Sequence, residues 1–438
     1  MLILGAGLLL PQRFVPANLG PLTGMLHPLW IALLLVGWPV RLLAYGRLTR
    51  RTPLDWPFLL LVLCIPVSFW ASSDKTVSLE AAGYLIFGLA LFFALLNWPP
   101  AARRPEIVAW ALITLGFGIA LVAPLMNRLT VAQFSQLPFL GAVLGRLGPQ
   151  RLEDVNINVL AGSMVLILPL YVSMALRGGW RSPAELAGKR PWLNLLFAAG
   201  ALVTLAVIVI TRSRGAYVAA AAGIAVVAVL RWPRLLVAVP VLLIAGAVGI
   251  VMIGPTRSLE VLSFNGALGG LSGRSEVWTR ALYALQDFAI TGIGIGTFSR
   301  VIPVMYPYLT LAPDFHVDHS HNLFLQVGLD LGIPGLIAYL ALLINTFVLL
   351  GSALRGRGAR DGISGERRYQ MSWSLAAGAA GGLTAMLAHG IFDATIWNSR
   401  PAFLPWALIA LSVLVGIGAV PQGVLRSGST PDSFASTN

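Results

Sequence analysis

The sequence is poor in cysteine and in charged residues. Cys64 is the single cysteine of 438 residues, so the chain can form neither a disulfide framework nor a cysteine metal site. Charged residues make up 11% of the sequence, whereas a soluble domain carries about 25%. Hydrophobic residues make up 57%, and the mean hydropathy is +0.81. This composition excludes an ordinary soluble domain and predicts an all-α polytopic membrane protein.

Apolar runs of about 20 residues, the length that crosses a bilayer as a helix, predict about twelve transmembrane helices. They lie at residues 1–12, 23–44, 54–72, 78–97, 105–126, 156–176, 192–211, 215–230, 235–254, 322–350, 371–392 and 402–420. We therefore divide the chain into nine helices with short loops (1–254), a large loop containing helices (255–321), three further helices (322–420) and a tail (421–438). The tail is rich in Ser, Gly and Pro, which predicts disorder.

The net charge of +13 arises from 30 basic and 17 acidic residues. Most of the basic residues fall in one alternating set of short loops, which the positive-inside rule places in the cytoplasm together with both termini. The excess of positive charge therefore needs no nucleic-acid partner. The large loop then lies on the side of the membrane that faces away from the cytoplasm.

Several arginines lie on that outer side, where the rule does not favour them. Arg212 and Arg214 occupy a tight turn between two spans, and Arg274 precedes a segment, Ser275–Phe288, with helical spacing of apolar residues. Arginines beside a helix N-terminus suit an anion such as phosphate. Two plain alternatives stay open: the turn arginines bind lipid head groups, and Arg274 pairs structurally with Glu276 or Asp287.

Three of the five histidines, His316, His319 and His321, precede the tenth predicted span. An ionisable imidazole at a membrane boundary needs a partner or a function. His321 shares helical spacing with a glycine stripe, which predicts one helix face bearing both. His319 would then point elsewhere, so we do not expect the two imidazoles to act on one atom. The stripe consists of Gly328, Gly332 and Gly335.

Asp318 or Ser320 is expected to cap this helix. A purely structural role for the histidine is one alternative, and a zinc site is another. The possible ligands, Asp314, His316, Asp318, His319 and His321, lack the i, i+4 histidine pair of a zinc helix. We therefore predict no metal and no cofactor.

Two acidic residues fall in or beside predicted spans. Asp330 would lie inside the membrane with a partner, for example an arginine, and Asp393 would lie at the outer end of the eleventh span. His389 precedes Asp393 by one helical turn and could bind it. A glycine-rich turn at 291–298 follows no predicted strand, so it does not predict a nucleotide site.

Together these features suggest a reaction. Outer arginines suit an anionic lipid head group, and a histidine of near-neutral pKa can remove a proton from an attacking hydroxyl. An outer site has no access to ATP, so the energy must arrive in an activated lipid. Lipid-linked sugar diphosphates meet that requirement.

At these residues the sequence resembles the bacterial O-antigen ligases of the O-antigen ligase and polymerase superfamily. Their hallmark is a histidine, then Asn, Ser or Gln, nine residues, a glycine, two residues and a small or aromatic residue. Here it reads His321-Asn322, nine residues, Gly332, two residues, Gly335. Further similar segments are Ser213-Arg214-Gly215, Gly273-Arg274 with Trp278, the glycine-rich turn, and Asn156-Ile157-Asn158.

The resemblance implies a GT-C-type glycosyltransferase of the bacterial inner membrane with a periplasmic active site. It implies transfer of a glycan from undecaprenyl diphosphate to lipid A-core, with inversion and without metal. His321 would be the base, and Arg214 and Arg274 would bind the diphosphate. Secondary candidates are Arg212, His319, Asp393 and Asn158. An O-antigen polymerase, a protein O-oligosaccharyltransferase and, from another class, a lipid-linked oligosaccharide flippase remain alternatives.

Overall fold

A computed structural model describes residues 20–126, 156–177, 191–238, 271–311, 316–356 and 362–419, with a few isolated positions between 244 and 252. Within these ranges the regular structure is entirely helical, as the composition predicts. The predicted span at 1–12, most of that at 235–254 and the tail at 421–438 lie outside the described residues.

Thirteen α-helices form the described part of the chain. They are α1 (Gly20–Tyr45), α2 (Asp55–Ala71), α3 (Lys75–Asn97), α4 (Pro99–Arg103), α5 (Glu106–Met126), α6 (Ile157–Ala175), α7 (Pro191–Ile210), α8 (Arg214–Arg231), α9 (Leu271–Asp287), α10 (Phe298–Met305), α11 (Leu323–Arg355), α12 (Gly362–Gly390) and α13 (Phe403–Ala419). Two short 3₁₀ helices, Pro233–Val237 and Arg400–Ala402, lie between them.

Ten of the twelve predicted spans coincide with described helices. Seven helices in the described ranges, α3, α6, α7, α8, α11, α12 and α13, are long and apolar enough to cross a membrane. This confirms a helical, multi-pass membrane protein at the level of length and composition. The total of twelve spans stays a prediction.

Small residues let the central helices approach closely. Helix α6 packs against α7, α8 and α12, and α11 packs against α2 and α13. A Cβ at Gly223 of α8 would lie 2.8 Å from the Gly381 carbonyl oxygen, and a Cβ at Gly381 of α12 would lie 2.7 Å from that of Gly223. The two backbones are therefore in contact, which is how membrane helices gain packing without a hydrophobic driving force.

Helix α11 is interrupted at Gly332, where φ is 71° and ψ is 176°. The segment that follows α9 fills the interruption: the Ile293 N–H donates to the Leu329 carbonyl, and the Ile333 N–H donates to the Ala289 carbonyl, each at 2.7 Å. A Cβ at Gly332 would lie 2.2 Å from the Ile290 carbonyl oxygen. Glycine is thus required here for its φ and for space, and the loop satisfies backbone groups that the interruption frees.

The predicted amphipathic helix of the large loop is confirmed, although it starts earlier, at Leu271. Arg274 therefore lies within its first turn instead of just before it. Val277, Ala281 and Ala284 are fully buried and pack with Leu329 of α11 in a separate apolar cluster. This face fixes the large loop to the bundle.

Replacing Gly223 with Ala is expected to destabilise the protein by about 1–3 kcal/mol, because the added methyl overpacks the α8–α12 contact. The apparent midpoint of thermal unfolding in detergent should fall. Gly118→Ala in α5 is the matched control, since a Cβ there meets nothing within 4 Å and alanine favours a helix. Equal midpoints for the two variants would contradict the close packing.

Candidate active site

The predicted site residues gather at one end of the helix bundle, where α6, α8 and α11 begin and α12 ends. The chain just after α12 joins these elements. Ile391 accepts a hydrogen bond from Asn322 Nδ2 at 3.1 Å, and Thr395 Oγ1 donates to the Asn158 carbonyl at 3.2 Å. A Cβ at Gly215 would lie 3.3 Å from Cβ of Phe392. The segment 391–395 is therefore the common neighbour of three helix N-termini.

His321 lies before helix α11 and not within it. The helix begins at Leu323, and the Asn322 side chain caps it by accepting hydrogen bonds from the N–H groups of Phe324 and Leu325, each at 3.0 Å. The predicted caps, Asp318 and Ser320, are therefore wrong. So is the single helix face shared by His321 and the glycines, because His321 has a φ of 50°. An Asn side chain is a strong N-cap, and it leaves the preceding residue outside the helix.

The two imidazoles contact one carboxylate oxygen, contrary to expectation. His319 Nε2 and His321 Nδ1 each lie 3.6 Å from Asp393 Oδ1, and the ring centroids are 4.3 Å apart. The expectation that they act apart assumed a continuous helix, in which residues two apart diverge. The left-handed backbone at His321 turns its ring back toward that of His319.

The hydrogen bonds distinguish the two histidines. His319 Nδ1 accepts from the His321 backbone N–H at 3.2 Å, which leaves its proton on Nε2, facing Asp393. His321 faces Asp393 with Nδ1, so its Nε2 points to a different side. His319 Nδ1 is thus hydrogen-bonded, whereas His321 Nδ1 lies 3.6 Å from the Asp393 carboxylate, whose charge favours the tautomer with the proton on Nδ1.

Burial and neighbouring charges shift the pKa values of the cluster. Burial, together with the charges of His321 and Arg274, lowers the pKa of His319 to about 4, although Asp393 and Asp318 act in the opposite direction. Burial by itself would raise the pKa of the Asp393 carboxyl, but its interactions with His321, His319 and His389 outweigh burial and lower that pKa to about 2. At neutral pH, Asp393 is therefore ionised and His319 is neutral.

Two of the predicted arginines lie at the same end of the bundle as this cluster. Arg274 is close enough for its charge to act on His319 and on His389. Arg214 is the first residue of α8, next to Gly215 and its contact with Phe392. Both therefore lie at the same end of the bundle as Asp393.

The remaining candidates are placed less directly. Asn158 lies in the first turn of α6, and its carbonyl accepts the hydrogen bond from Thr395. Arg212 is exposed, with a φ of 53°, and its charge acts on Tyr217. In the part of the chain that the structure describes, no contact joins Arg212 to the histidines.

The partners predicted for the two acidic residues, Asp393 and Asp330, differ from those in the structure. His389 does not bind Asp393 through its ring: both ring nitrogens are buried, with no hydrogen-bond partner among the described residues. Asp330 is fully buried, but its carboxylate accepts from neutral donors instead of an arginine. The donors are Gln326 Nε2 at 3.0 Å, the Gly296 N–H at 3.1 Å, Trp397 Nε1 at 2.7 Å and Asn398 Nδ2 at 2.5 Å.

The Asp330 network reaches the histidine turn through Gln326, a residue that sequence reasoning missed. Gln326 Oε1 accepts the Ser320 backbone N–H at 2.8 Å, between His319 and His321, and its amide nitrogen donates to Asp330. The available signal was the i, i+4 spacing of two polar residues inside an apolar span. Trp397 and Asn398 gave no signal, because they approach Asp330 only in the fold.

His319, His321 and Asp393 could also hold a metal ion. One ligand atom from each lies within 4.8 Å of the others, and three protein ligands plus an open position describe many catalytic zinc sites. The sequence could not predict this set, because Asp393 comes from a distant segment.

Residues 199–340 match the family model described as O-Antigen ligase. The matched segment is about a third of the chain and includes Arg212, Arg214, Arg274, His319 and His321. It confirms the resemblance to the O-antigen ligase superfamily. Comparison with curated proteins gives no match.

The lowered pKa of His319 predicts how stability depends on pH. Between the ordinary histidine value of 6.5 and about 4, the unfolded chain binds the His319 proton and the folded chain does not. Stability is therefore lost as the pH falls through this window, by at most about 1.4 kcal/mol per pH unit. In detergent, the thermal midpoint should fall less between pH 6.5 and 4.5 in His319→Gln than in the unchanged protein.

His316→Gln is the matched control, because 71% of the His316 side chain is exposed. It should keep the pH dependence of the unchanged protein. A His319→Gln variant with that same dependence would show that His319 is protonated in the folded state as readily as in the unfolded one.

Proposed function

We propose that the protein is an O-antigen ligase. It transfers a glycan from undecaprenyl diphosphate to a sugar hydroxyl of lipid A-core, at the periplasmic face of the bacterial inner membrane. The match of residues 199–340 to the O-antigen ligase family model supports a lipid-linked glycan substrate and a membrane setting. The observation that carries the proposal is the pairing of His321 with the ionised Asp393, at the bundle end where α8 begins with Arg214.

His321 is the proposed general base. Asp393 next to Nδ1 orients the ring and stabilises the imidazolium that forms when Nε2 accepts the proton. The acceptor hydroxyl gives its proton to His321, and its oxygen attacks the anomeric carbon of the donor sugar. The bond from that carbon to the diphosphate oxygen breaks on the opposite side, so the displacement inverts the anomeric configuration.

The leaving diphosphate gains negative charge as this bond breaks, and fixed positive groups stabilise it. Arg274 and Arg214 are proposed for this role. Arg274 stands in the first turn of α9, and Arg214 is the first residue of α8, so each guanidinium adds its charge to the positive end of a helix dipole. Arg212, on the same turn as Arg214, is proposed as a weaker contact. Asn158 and His319 are proposed as positioning residues.

The finer topology is proposed along with the chemistry. Twelve spans in a GT-C-type arrangement, with both termini in the cytoplasm, place α9 and the histidines in the periplasm. The division at 254, 321 and 420 agrees with this arrangement, because the described helices of the large loop pack on α11 at the same bundle end as the histidines. An exposed, positively charged turn at Arg212 suits a surface where lipid head groups meet water.

A metal-assisted transfer is the second candidate, favoured by the geometry of His319, His321 and Asp393. Purified protein reconstituted with undecaprenyl diphosphate-linked glycan and rough lipopolysaccharide separates the possibilities. Transfer to the lipopolysaccharide that survives EDTA supports the metal-free ligase. Chain extension on the donor lipid would identify a polymerase, and loss of transfer with EDTA would identify a metal enzyme.

His321→Ala is expected to reduce transfer by about 10²–10⁴-fold, the usual contribution of a general base. His319→Gln should retain more activity, since glutamine can still accept the His321 backbone N–H. Initial rates in proteoliposomes, with folding checked by size-exclusion chromatography, measure both variants. If the His319 variant were the more damaged of the two, the base would be assigned to the wrong ring.

Arg274→Ala and Arg214→Ala are each expected to lower kcat by about 10²–10³-fold, because each removes charge stabilisation of the leaving diphosphate. Arg300→Ala is the matched control: Arg300 is also in the large loop, but it is exposed and pairs with Asp74 at 3.7 Å. Near-normal rates in either test variant would remove that arginine from the diphosphate site.

A further inference from the structure

We propose that the cavity beside His319 is the binding site for the sugar ring of the acceptor that carries the attacking hydroxyl. This inference rests on the proposed function and adds where and how the acceptor binds. The cavity has a volume of about 250 Å³. Pockets for drug-sized ligands span about 300–1,000 Å³, so the volume suits one sugar ring and not an oligosaccharide.

The cavity lies between the start of α3 and the segment that follows α12. Its walls combine carboxylate, amide, phenol, imidazole and indole groups with a few small apolar residues. They are formed by Val77, Glu80, Ala81, Tyr84, Gly296, Asp318, His319, Gln326, Trp397 and Asn398. Hydroxyl-binding groups around an aromatic ring are what a sugar requires, since a sugar ring has polar edges and apolar C–H faces.

Asp330 holds three of these lining side chains in place. Its buried carboxylate accepts hydrogen bonds from Gln326, Trp397 and Asn398. Trp397 also packs edge-on against Tyr339, with ring centroids 5.5 Å apart, so its ring is fixed from two sides. A buried charge is costly to maintain, and here it orders the wall of a cavity. The cavity is therefore a built site with preorganised polar groups.

The charges that line the cavity select against the donor. Glu80 and Asp318 line it, whereas Arg400, which interacts with the lining residue Tyr84, is not itself among the lining residues. Carboxylates repel a diphosphate, so this side of the histidine pair suits a neutral or amino sugar. The proposed diphosphate arginines, Arg214 and Arg274, come from α8 and α9, which contribute no lining residue.

The cavity also has the right position for the reaction. His319 lines it and lies 4.3 Å from His321 between ring centroids. An acceptor ring bound in the cavity would therefore lie beside the histidine pair. The proposed base then stands between an acceptor ring on the carboxylate side and a diphosphate on the arginine side.

The first test measures kinetics in proteoliposomes with rough lipopolysaccharide as acceptor and undecaprenyl diphosphate-linked glycan as donor. Glu80→Gln should raise KM for the acceptor about ten-fold, because it removes a charged hydrogen-bond acceptor, and should leave KM for the donor unchanged. Glu106→Gln, the same substitution at the first residue of α5, is the control and should change neither. An unchanged acceptor KM in Glu80→Gln, or a raised donor KM, would overturn the proposal.

The second test detects binding without catalysis. Val77 lines the cavity, so Val77→Cys places a thiol there, and the native Cys64 is buried. Rough lipopolysaccharide should slow maleimide labelling of Val77→Cys at least five-fold. Leu79→Cys is the control, since Leu79 is 68% exposed and outside the cavity, and its labelling should not change.

The two tests separate the inference from the proposed function. Protection of Val77→Cys by the acceptor, in a protein that transfers no glycan, would support the sugar site and reject the ligase. Protection by the donor alone, or by neither lipid, would overturn the acceptor site even in an active ligase.

Discussion

The interruption of helix α11 at Gly332 is the constraint on which the rest of the site depends. A bilayer offers no water to the backbone groups that such an interruption frees, so protein must supply their partners. The segment after α9 does so through reciprocal hydrogen bonds of 2.7 Å with residues 329 and 333. That pairing fixes the large loop to the bundle and holds α9, with Arg274, close enough to the histidines for its charge to act on His319. The carboxylate of Asp330, two residues before the interruption, accepts a hydrogen bond from the Gly296 N–H of the same loop.

Two buried carboxylates, Asp330 and Asp393, each hold one group of site residues in place, and they do so by different physical interactions. Asp330 acts through neutral hydrogen-bond donors and fixes Gln326, Trp397 and Asn398. Asp393 acts through charge and holds His319 and His321 at equal distances of 3.6 Å. Gln326 connects the two, because it binds both Asp330 and the Ser320 backbone between the histidines. Hydrogen bonds through Gln326 thus link the Asp330 network of α11 to the turn that carries the two histidines.

The sequence predicts the parts of the fold that local physics controls. Apolar run length locates ten described helices, and helical spacing locates the buried face of α9, with Val277, Ala281 and Ala284. It fails where a side chain competes with the helix, as at Asn322, whose cap leaves His321 outside α11. It also fails for pairs far apart in the chain. Asp393 meets His321 only because α12 returns to the start of α11, which no spacing rule encodes.

The asymmetry between the two histidines follows from one hydrogen bond. Because His319 Nδ1 accepts the His321 N–H, a proton on that nitrogen would break the contact that shapes the turn. The same burial that lowers the pKa of His319 to about 4 therefore protects the backbone geometry of His321. Asp393 then holds the His319 ring in place and supplies a negative charge beside the His321 ring. The second imidazole, that of His319, is therefore better explained as a group that orients the proposed base than as a second base.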